Sequence, residues 1–420
     1  MLKIITLILA AMWLLVLMMA GLLFQQGQAS QAAGQGPKNK IAAMEPDSAV
    51  WGAYFPKQYA TLVQTAYNDT RTEFGGSEPF SHLEDDPRLL TLFAGYGFSI
   101  EYNDDRGHWN AVLDVQSIDR LTPTTPGTCY SCKSSNNPQL WDELGMATFD
   151  AMLFTELGES IDHPIGCANC HDADTLELIV TNPALETALA AQGLDWRTFS
   201  QQEMRTVVCA NCHVEYYFAG TGKYLTFPWV NGRDIEDIAA YYQANGFVDW
   251  THPESGTKMI KMQHPDFEMF SNNSTHYNAG VACADCHMPY VKTDGMRFST
   301  HDVKSPLLNA QAACSGCHKN VDRVVAQVSI IQNHVHDTML AAEDALVDAI
   351  NAIEAAALAG GDAALIDEAR TLHREAQLRW DFVAAENSMG FHNPEYALKT
   401  LAKATDLARQ AQIKAVEALP

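Results

Sequence analysis

Residues 167–171 read CANCH, and residues 209–213 repeat the same five letters. The pattern returns as Cys283-Ala-Asp-Cys286-His287 and as Cys314-Ser-Gly-Cys317-His318. A fifth copy, Cys129-Tyr-Ser-Cys132-Lys133, carries lysine where the others carry histidine. Together the copies use all ten cysteines of the chain. An even cysteine count in an exported protein ordinarily announces disulfides. A disulfide framework, however, gives no reason for a histidine directly behind the second cysteine four times. Zinc is the other common use of CxxC, two pairs to a tetrahedral site. Five pairs is an odd number, and the trailing histidine has no role on four thiolates. Covalent haem accounts for every atom type: two thiols add to two vinyl groups, and the adjacent imidazole reaches the iron as axial ligand.

Five haems change what the chain must do to fold. Each brings a large flat apolar surface inside, so much of the core is porphyrin and the polypeptide need only wrap and ligate. The expected class is mainly α, a multihaem cytochrome with a haem-packed core, long C-terminal helices and few short strands. The motif spacings of 38, 42, 74 and 31 residues have no fixed period, which excludes a repeat array. Residues 46–320 hold all the cysteines and form the expected pentahaem catalytic region. Residues 321–420 hold none. From Val321, apolar residues recur at helical spacing through Val328, Val335, Leu346 and Ile353, up to Gly360-Gly361. A second helix is expected from about Ala364 to Glu386, and a third from Asn393 as cap with Pro394 in its first turn. Wide apolar stripes without a cofactor point to packing on the haem core and against a second subunit, or to a purely intramolecular bundle.

The chain has 420 residues and a formal charge of −24, with 51 acidic against 27 basic side chains. Phosphate recognition needs clustered Lys and Arg, so nucleic acid is excluded as partner. A small anion could approach only through a locally positive channel. The N-terminus has one Lys before an apolar run from Ile4 to Phe24, then a stretch rich in Gln, Gly and Ala. Residues 1–29 read as a signal peptide or an uncleaved anchor, with membrane association in the second case, and residues 30–45 as a flexible linker. Both readings export the rest of the chain.

A haem closed by two imidazoles needs a second histidine. Eleven remain for four irons: His82, His108, His163, His252, His264, His276, His301, His334, His336, His373 and His392. His334, His336 and His373 lie in long helical stretches and read as surface positions; spacing alone does not choose among the others. The lysine motif follows a different logic. An amine binds iron only when deprotonated, far below its unperturbed pKa of ~10.4. A ligand that costly marks an iron with a different task, and chemistry at a metal needs an open position. The alternative is that Lys133 is solvated and another residue ligates that iron.

From about residue 85 to about 400 the chain resembles the pentahaem, ammonia-forming cytochrome c nitrite reductases. The resemblance rests on "DPRLLTLFAGYGFSIEYNDDRGHWNAVLDV", the lysine motif, "CANCHVEYYF", "KMQHPDFE", "THYNAGVACADCH", "STHDVKSPL" and "GFHNPE", in that order. It departs from the pattern in its long apolar N-terminus and in stopping at Pro420, where some relatives continue. The resemblance implies that Lys133 is the proximal ligand of the catalytic haem. Arg120, Tyr216 and His264 would line its distal face. It pairs His171 with His301, His213 with His108, His287 with His392, and His318 with His276. It further implies a calcium ion held by Glu215 and Gln263 side chains and by the carbonyls of Tyr216 and Lys261. Such an all-oxygen set suits a hard cation.

The implied reaction is six-electron reduction of nitrite to ammonium. The implied partners are a multihaem electron donor, either a membrane quinol dehydrogenase or a soluble cytochrome, and a second copy in a homodimer, in the periplasm. Two alternatives stay open at this point: a multihaem electron-transfer protein with no substrate of its own, and a related reductase acting on hydroxylamine or sulfite.

Overall fold

The computed structural model describes residues 41–420 apart from 77, 79 and 105. The expectations for residues 1–29 and for most of the 30–45 linker therefore lie outside the described residues. No helix among the described residues is long and apolar enough to cross a membrane.

Three helices dominate. The first, Val321–Leu358, has 38 residues and spans about 57 Å at about 1.5 Å per residue. Asn320 caps it by accepting from the Arg323 amide at 3.0 Å. It ends where Gly360 turns to φ +71° and the Gly361 amide returns to the Ala356 carbonyl at 3.0 Å. The second, Ala363–Ala384, is capped by Asp362, which accepts from two amides. The third, Pro394–Glu417, has the expected asparagine cap and first-turn proline. On its inner face Ala397, Leu401, Ala404, Ala408, Ala411 and Ala415 are all fully buried. Small residues at alternating spacings of four and three let the backbones approach closely, and all three helices pack on one another.

Elsewhere short helices and turns alternate with four two-stranded antiparallel pairs. The longest is Tyr290–Thr293 against Met296–Ser299, with Tyr290 facing Ser299. Another sets Tyr217–Ala219 against Tyr224–Thr226. Buried apolar residues divide into several clusters around a cavity of about 2760 Å³. The largest cluster joins Leu92, Phe93, Trp250 and Met262 to Val335, Leu346, Trp380 and Phe382. One core thus runs across residue 320 and fastens the long helices to the rest of the chain.

His373 corrects a sequence expectation. It is fully buried, not at the surface. Its Nδ1 lies 3.0 Å from Thr257 Oγ1 and its Nε2 3.1 Å from Gln377 Oε1. Burial pushes its pKa down to about 3. The second helix is covered on both sides, by the other long helices and by the strand Lys258–Met259, so its polar positions do not mark a solvent face. His336 is half-buried, with its ring centre 5.0 Å from that of Phe74; His334 is exposed as expected. The C-terminal helices also contribute directly to the cavity wall, through Val324, Val328 and Gln332 and through His392 in the connection to the third helix. The third helix thus begins next to a cavity-facing histidine.

Candidate functional site

Each motif is one helical turn. The amides of His171, His213 and His318 donate to the carbonyls of Cys167, Cys209 and Cys314, each at 2.9 Å; residues Cys283–His287 form a short α-helix. That geometry places both thiols and the following side chain on one face. In the lysine motif the turn is tighter, with the Lys133 amide donating to the Tyr130 carbonyl at 2.9 Å. The residue behind the first cysteine anchors the turn. Ala168, Ala210 and Ala284 are buried, and Tyr130 stacks on Phe154 with ring centres 4.1 Å apart.

All ten cysteines are free of disulfides and all ten line the same cavity. A single drug-sized ligand fills about 300–1,000 Å³, so a cavity of about 2760 Å³ accommodates several large groups. The thiols also trace an order. Cys132 lies beside Cys212, and Cys209 beside Cys283. Cys170 lies in the field of Cys209, and Cys286 in the fields of Cys314 and Cys317. The third motif therefore lies near the first, second and fourth, and the fourth near the fifth.

Across the cavity, histidines face histidines. The ring centres of His171 and His301 are 6.3 Å apart, those of His287 and His392 6.3 Å, and those of His276 and His318 6.4 Å. A metal–imidazole bond of about 2 Å, with about 1.1 Å from nitrogen to ring centre, gives about 6.2 Å for two imidazoles on one iron. The three gaps fit one metal each. His108, which opens the turn His108–Asn110, lines the same cavity as His213.

The Nδ1 atoms are already engaged: His171 with Leu176 O, His287 with Lys304 O and His301 with Ser299 O, at 2.9, 3.1 and 3.0 Å. Two others point to carboxylates, His213 to Asp266 and His392 to Glu386, both at 3.1 Å. Fixing Nδ1 as a donor leaves Nε2 to ligate. Burial pushes His287 and His301 down to about 4, so both are neutral and have no proton for a metal to displace.

Around the lysine motif, Lys133, Arg120, Tyr216 and His264 all line the cavity. The Arg120 guanidinium carbon lies 4.0 Å from the ring centre of Phe98. Its Nε is buried with no hydrogen-bond partner among the described residues. The Arg120 charge reaches both the Cys129 thiol and the Tyr216 hydroxyl, which puts all three in one neighbourhood. Burial holds the Tyr216 hydroxyl well above its ordinary pKa, so it remains a donor.

Behind this wall Glu215 is fully buried. Its carboxylate accepts from Tyr242 Oη and from the Gln263 amide, both at 2.7 Å. Gln263 Nε2 lies 3.3 Å from the Lys261 carbonyl, so three of the four expected calcium residues are within hydrogen-bond reach of one another. Burial, with the nearby charges of Glu268 and Asp381, pushes the Glu215 carboxyl well above its usual range. A hard cation would offset that cost, and the donor set fits one. Lys261 does not bring its ammonium to this ligand set; its Nζ pairs with Asp381 at 2.7 Å and with the Met262 carbonyl at 2.5 Å.

Four residues of this neighbourhood were given no role from the sequence: Glu268 and Asp266, although both lie within KMQHPDFE, and Tyr242 and Glu386. Glu268 accepts from the Glu215 amide and from Trp229, and burial raises its carboxyl to about 8. Asp266, Glu386 and His392 bring possible ligand atoms within 4.8 Å of one another. The His392 Nδ1 there serves as donor to Glu386, which argues against a second cation centre.

The family model for cytochrome c552 matches residues 47–420. The chain is 39% identical over 388 residues to a cytochrome c-552 of Bacteroides fragilis (strain YCH46), covering 89% of this chain and 77% of that one. It is 38% identical to the cytochrome c nitrite reductase subunit NrfA of Nitratidesulfovibrio vulgaris, over 91% of this chain and 80% of that one. The solved catalytic subunit (NrfA) of cytochrome c nitrite reductase from Desulfovibrio desulfuricans ATCC 27774, a protein with two calcium sites, superposes with a TM-score of 0.85. That pair is 36% identical, covering 89% of this chain and 87% of that chain.

Proposed function

Because this chain belongs to the cytochrome c552 family, we propose that it is a cytochrome c nitrite reductase forming ammonium at the Lys133 site. The observation that carries this reading is the lysine motif itself. One turn of five gives up its histidine, and that turn has Arg120 and Tyr216 beside it. In this reading five haems are bound through the ten cysteines. Four are closed by His171 with His301, His213 with His108, His287 with His392, and His318 with His276. Lys133 would hold the fifth.

A haem held by Cys129, Cys132 and Lys133 would supply redox-active iron to the substrate, and the neighbouring haems would supply electrons one at a time. The side chains do the rest. Arg120 presents a planar, permanently charged fork to the two oxygens of nitrite, an anion that a chain of charge −24 otherwise repels. Reduction to ammonium consumes six electrons and eight protons. His264 passes protons to the departing oxygens from its place on the same wall. Tyr216, kept protonated by burial, donates a hydrogen bond to the substrate without becoming a competing anion. Glu215, Gln263 and the carbonyls of Tyr216 and Lys261 would hold a calcium ion, joining the two segments that carry Tyr216 and His264. The enzyme works in the periplasm as a homodimer and takes electrons from a multihaem donor.

The test is a holoenzyme assay with reduced viologen. Six electrons consumed and one ammonium formed per nitrite, with one high-spin and four low-spin haems by electron paramagnetic resonance, is the expected result. Five low-spin haems with no nitrite consumed would leave only an electron conduit. Exhaustive chelation of the same preparation should remove bound calcium and activity together; retained activity without calcium would sink the cation assignment.

A further inference from the structure

Five of the cavity-facing imidazoles hand Nδ1 to acceptors at almost the same distance, but the acceptors differ in charge. His171, His287 and His301 meet backbone carbonyls. His213 and His392 meet carboxylates. Asp266 serves both: Oδ2 is 3.1 Å from His213 Nδ1, and Oδ1 is 3.9 Å from His392 Nδ1. Asn387 donates to it twice more, through its amide at 2.8 Å and its side chain at 2.9 Å. This carboxylate is 8% exposed and surrounded by donors. Glu386 is 4% exposed and bound by Ser388 and the Gly390 amide as well as by His392.

We propose that Asp266, seconded by Glu386, is a positioning residue that lowers the reduction potentials of the two haems ligated by His213 and His392. The inference rests on the ligand assignment above. A carboxylate on Nδ1–H makes Nε2 a stronger donor, and its buried negative charge favours the oxidised iron; a carbonyl supplies only a dipole. The placement has a use. The third motif is the one whose Cys212 meets Cys132 of the lysine site, so a low potential there favours passing electrons onward to the substrate. Asp266 also donates its amide to the His264 carbonyl at 2.8 Å, which fixes the proposed proton donor to the same anchor.

The test is potentiometric titration of the purified holoenzyme, followed optically and by electron paramagnetic resonance. Asp266→Asn should move one or two of the five midpoints upward, with the one-electron equilibrium of the His213 haem shifting about tenfold, ~59 mV. Asp266→Glu, which keeps the charge, should titrate like wild type. Glu386→Gln should move the His392 haem alone, and it decides the matter if Asp266→Asn does not accumulate. All midpoints unmoved in Asp266→Asn and Glu386→Gln, with haem content and ligation spectra intact, overturns the inference alone. Wild-type spectra lacking four bis-imidazole haems would instead overturn the ligand assignment beneath it.

Discussion

A lysine amine reaches iron only after giving up a proton that it holds tightly in water, so Lys133 has to be argued as a ligand and not assumed. Replacing it by histidine restores the motif of the other four sites. Lys133→His should keep five covalent haems and lower nitrite turnover by about tenfold or more, because even replacing a residue that only hydrogen-bonds a metal ligand costs about 10–100-fold. Haem content by pyridine haemochrome and turnover by ammonium formation check both halves; unchanged turnover would remove the special role of the amine. This residue was visible in the sequence because it broke a pattern repeated four times. The histidine partners were less visible. Eleven candidates shared one residue type, and spacing carried no information about which lay across the cavity from which. Three facing pairs emerge only when the chain is folded. His373 was misread because a helix covered on both sides has no polar face to read. Asp266 and Glu386 were silent for a simpler reason: they are two acidic residues among 51.

The long helices were legible to within a few residues, since Gly360-Gly361 and Asn393 with Pro394 mark ends; the caps Asn320 and Asp362 emerge only in the structure. The short strand pairs were not. Pairs of two to four residues are too short for alternation to show, and they form because a turn such as Gly220 to Lys223 brings their ends together. The buried seam of the third helix allows a test of packing without touching the cavity. Ala408 is fully buried in that seam. A leucine there must push the helices apart, and overpacking of this kind costs about 1–3 kcal/mol. Ala408→Leu should lower the thermal midpoint of the holoprotein while leaving haem content and the kcat/KM for nitrite unchanged. A wild-type midpoint would show that the three helices are packed more loosely than their alanines imply.

At the scale of the whole molecule, the long helices and the motif-bearing region share both a core and a site. Arg88 joins the first long helix through Glu343 at 3.2 Å and Asp344 at 2.9 Å, and Lys261 joins the second through Asp381 at 2.7 Å. Glu343 is the titratable element of this joint. It is 1% exposed, hydrogen-bonded to Asp86 and 3.2 Å from Trp380 Nε1. Asp86 already has the Arg88 guanidinium at 2.8 and 2.9 Å and stays ionised. Burial first, and then the Asp86 charge, push the Glu343 carboxyl up to about 9, from an ordinary value of 4.5. The native joint therefore holds a proton that the unfolded chain has released, and raising the pH through that window favours unfolding. Stability from this group is complete below about pH 4.5 and is lost progressively as the pH approaches 9. Glu343→Gln keeps the donor and has no proton to lose. Its thermal midpoint should fall less between pH 6 and pH 9 than that of wild type, by about 1 °C for each kcal/mol that the wild-type carboxyl loses in a chain of this size. Comparing the two proteins cancels every other titrating group, including those of the cofactors. Parallel declines would mean that Glu343 is ionised in the native joint and that Arg88, not a shared proton, holds it.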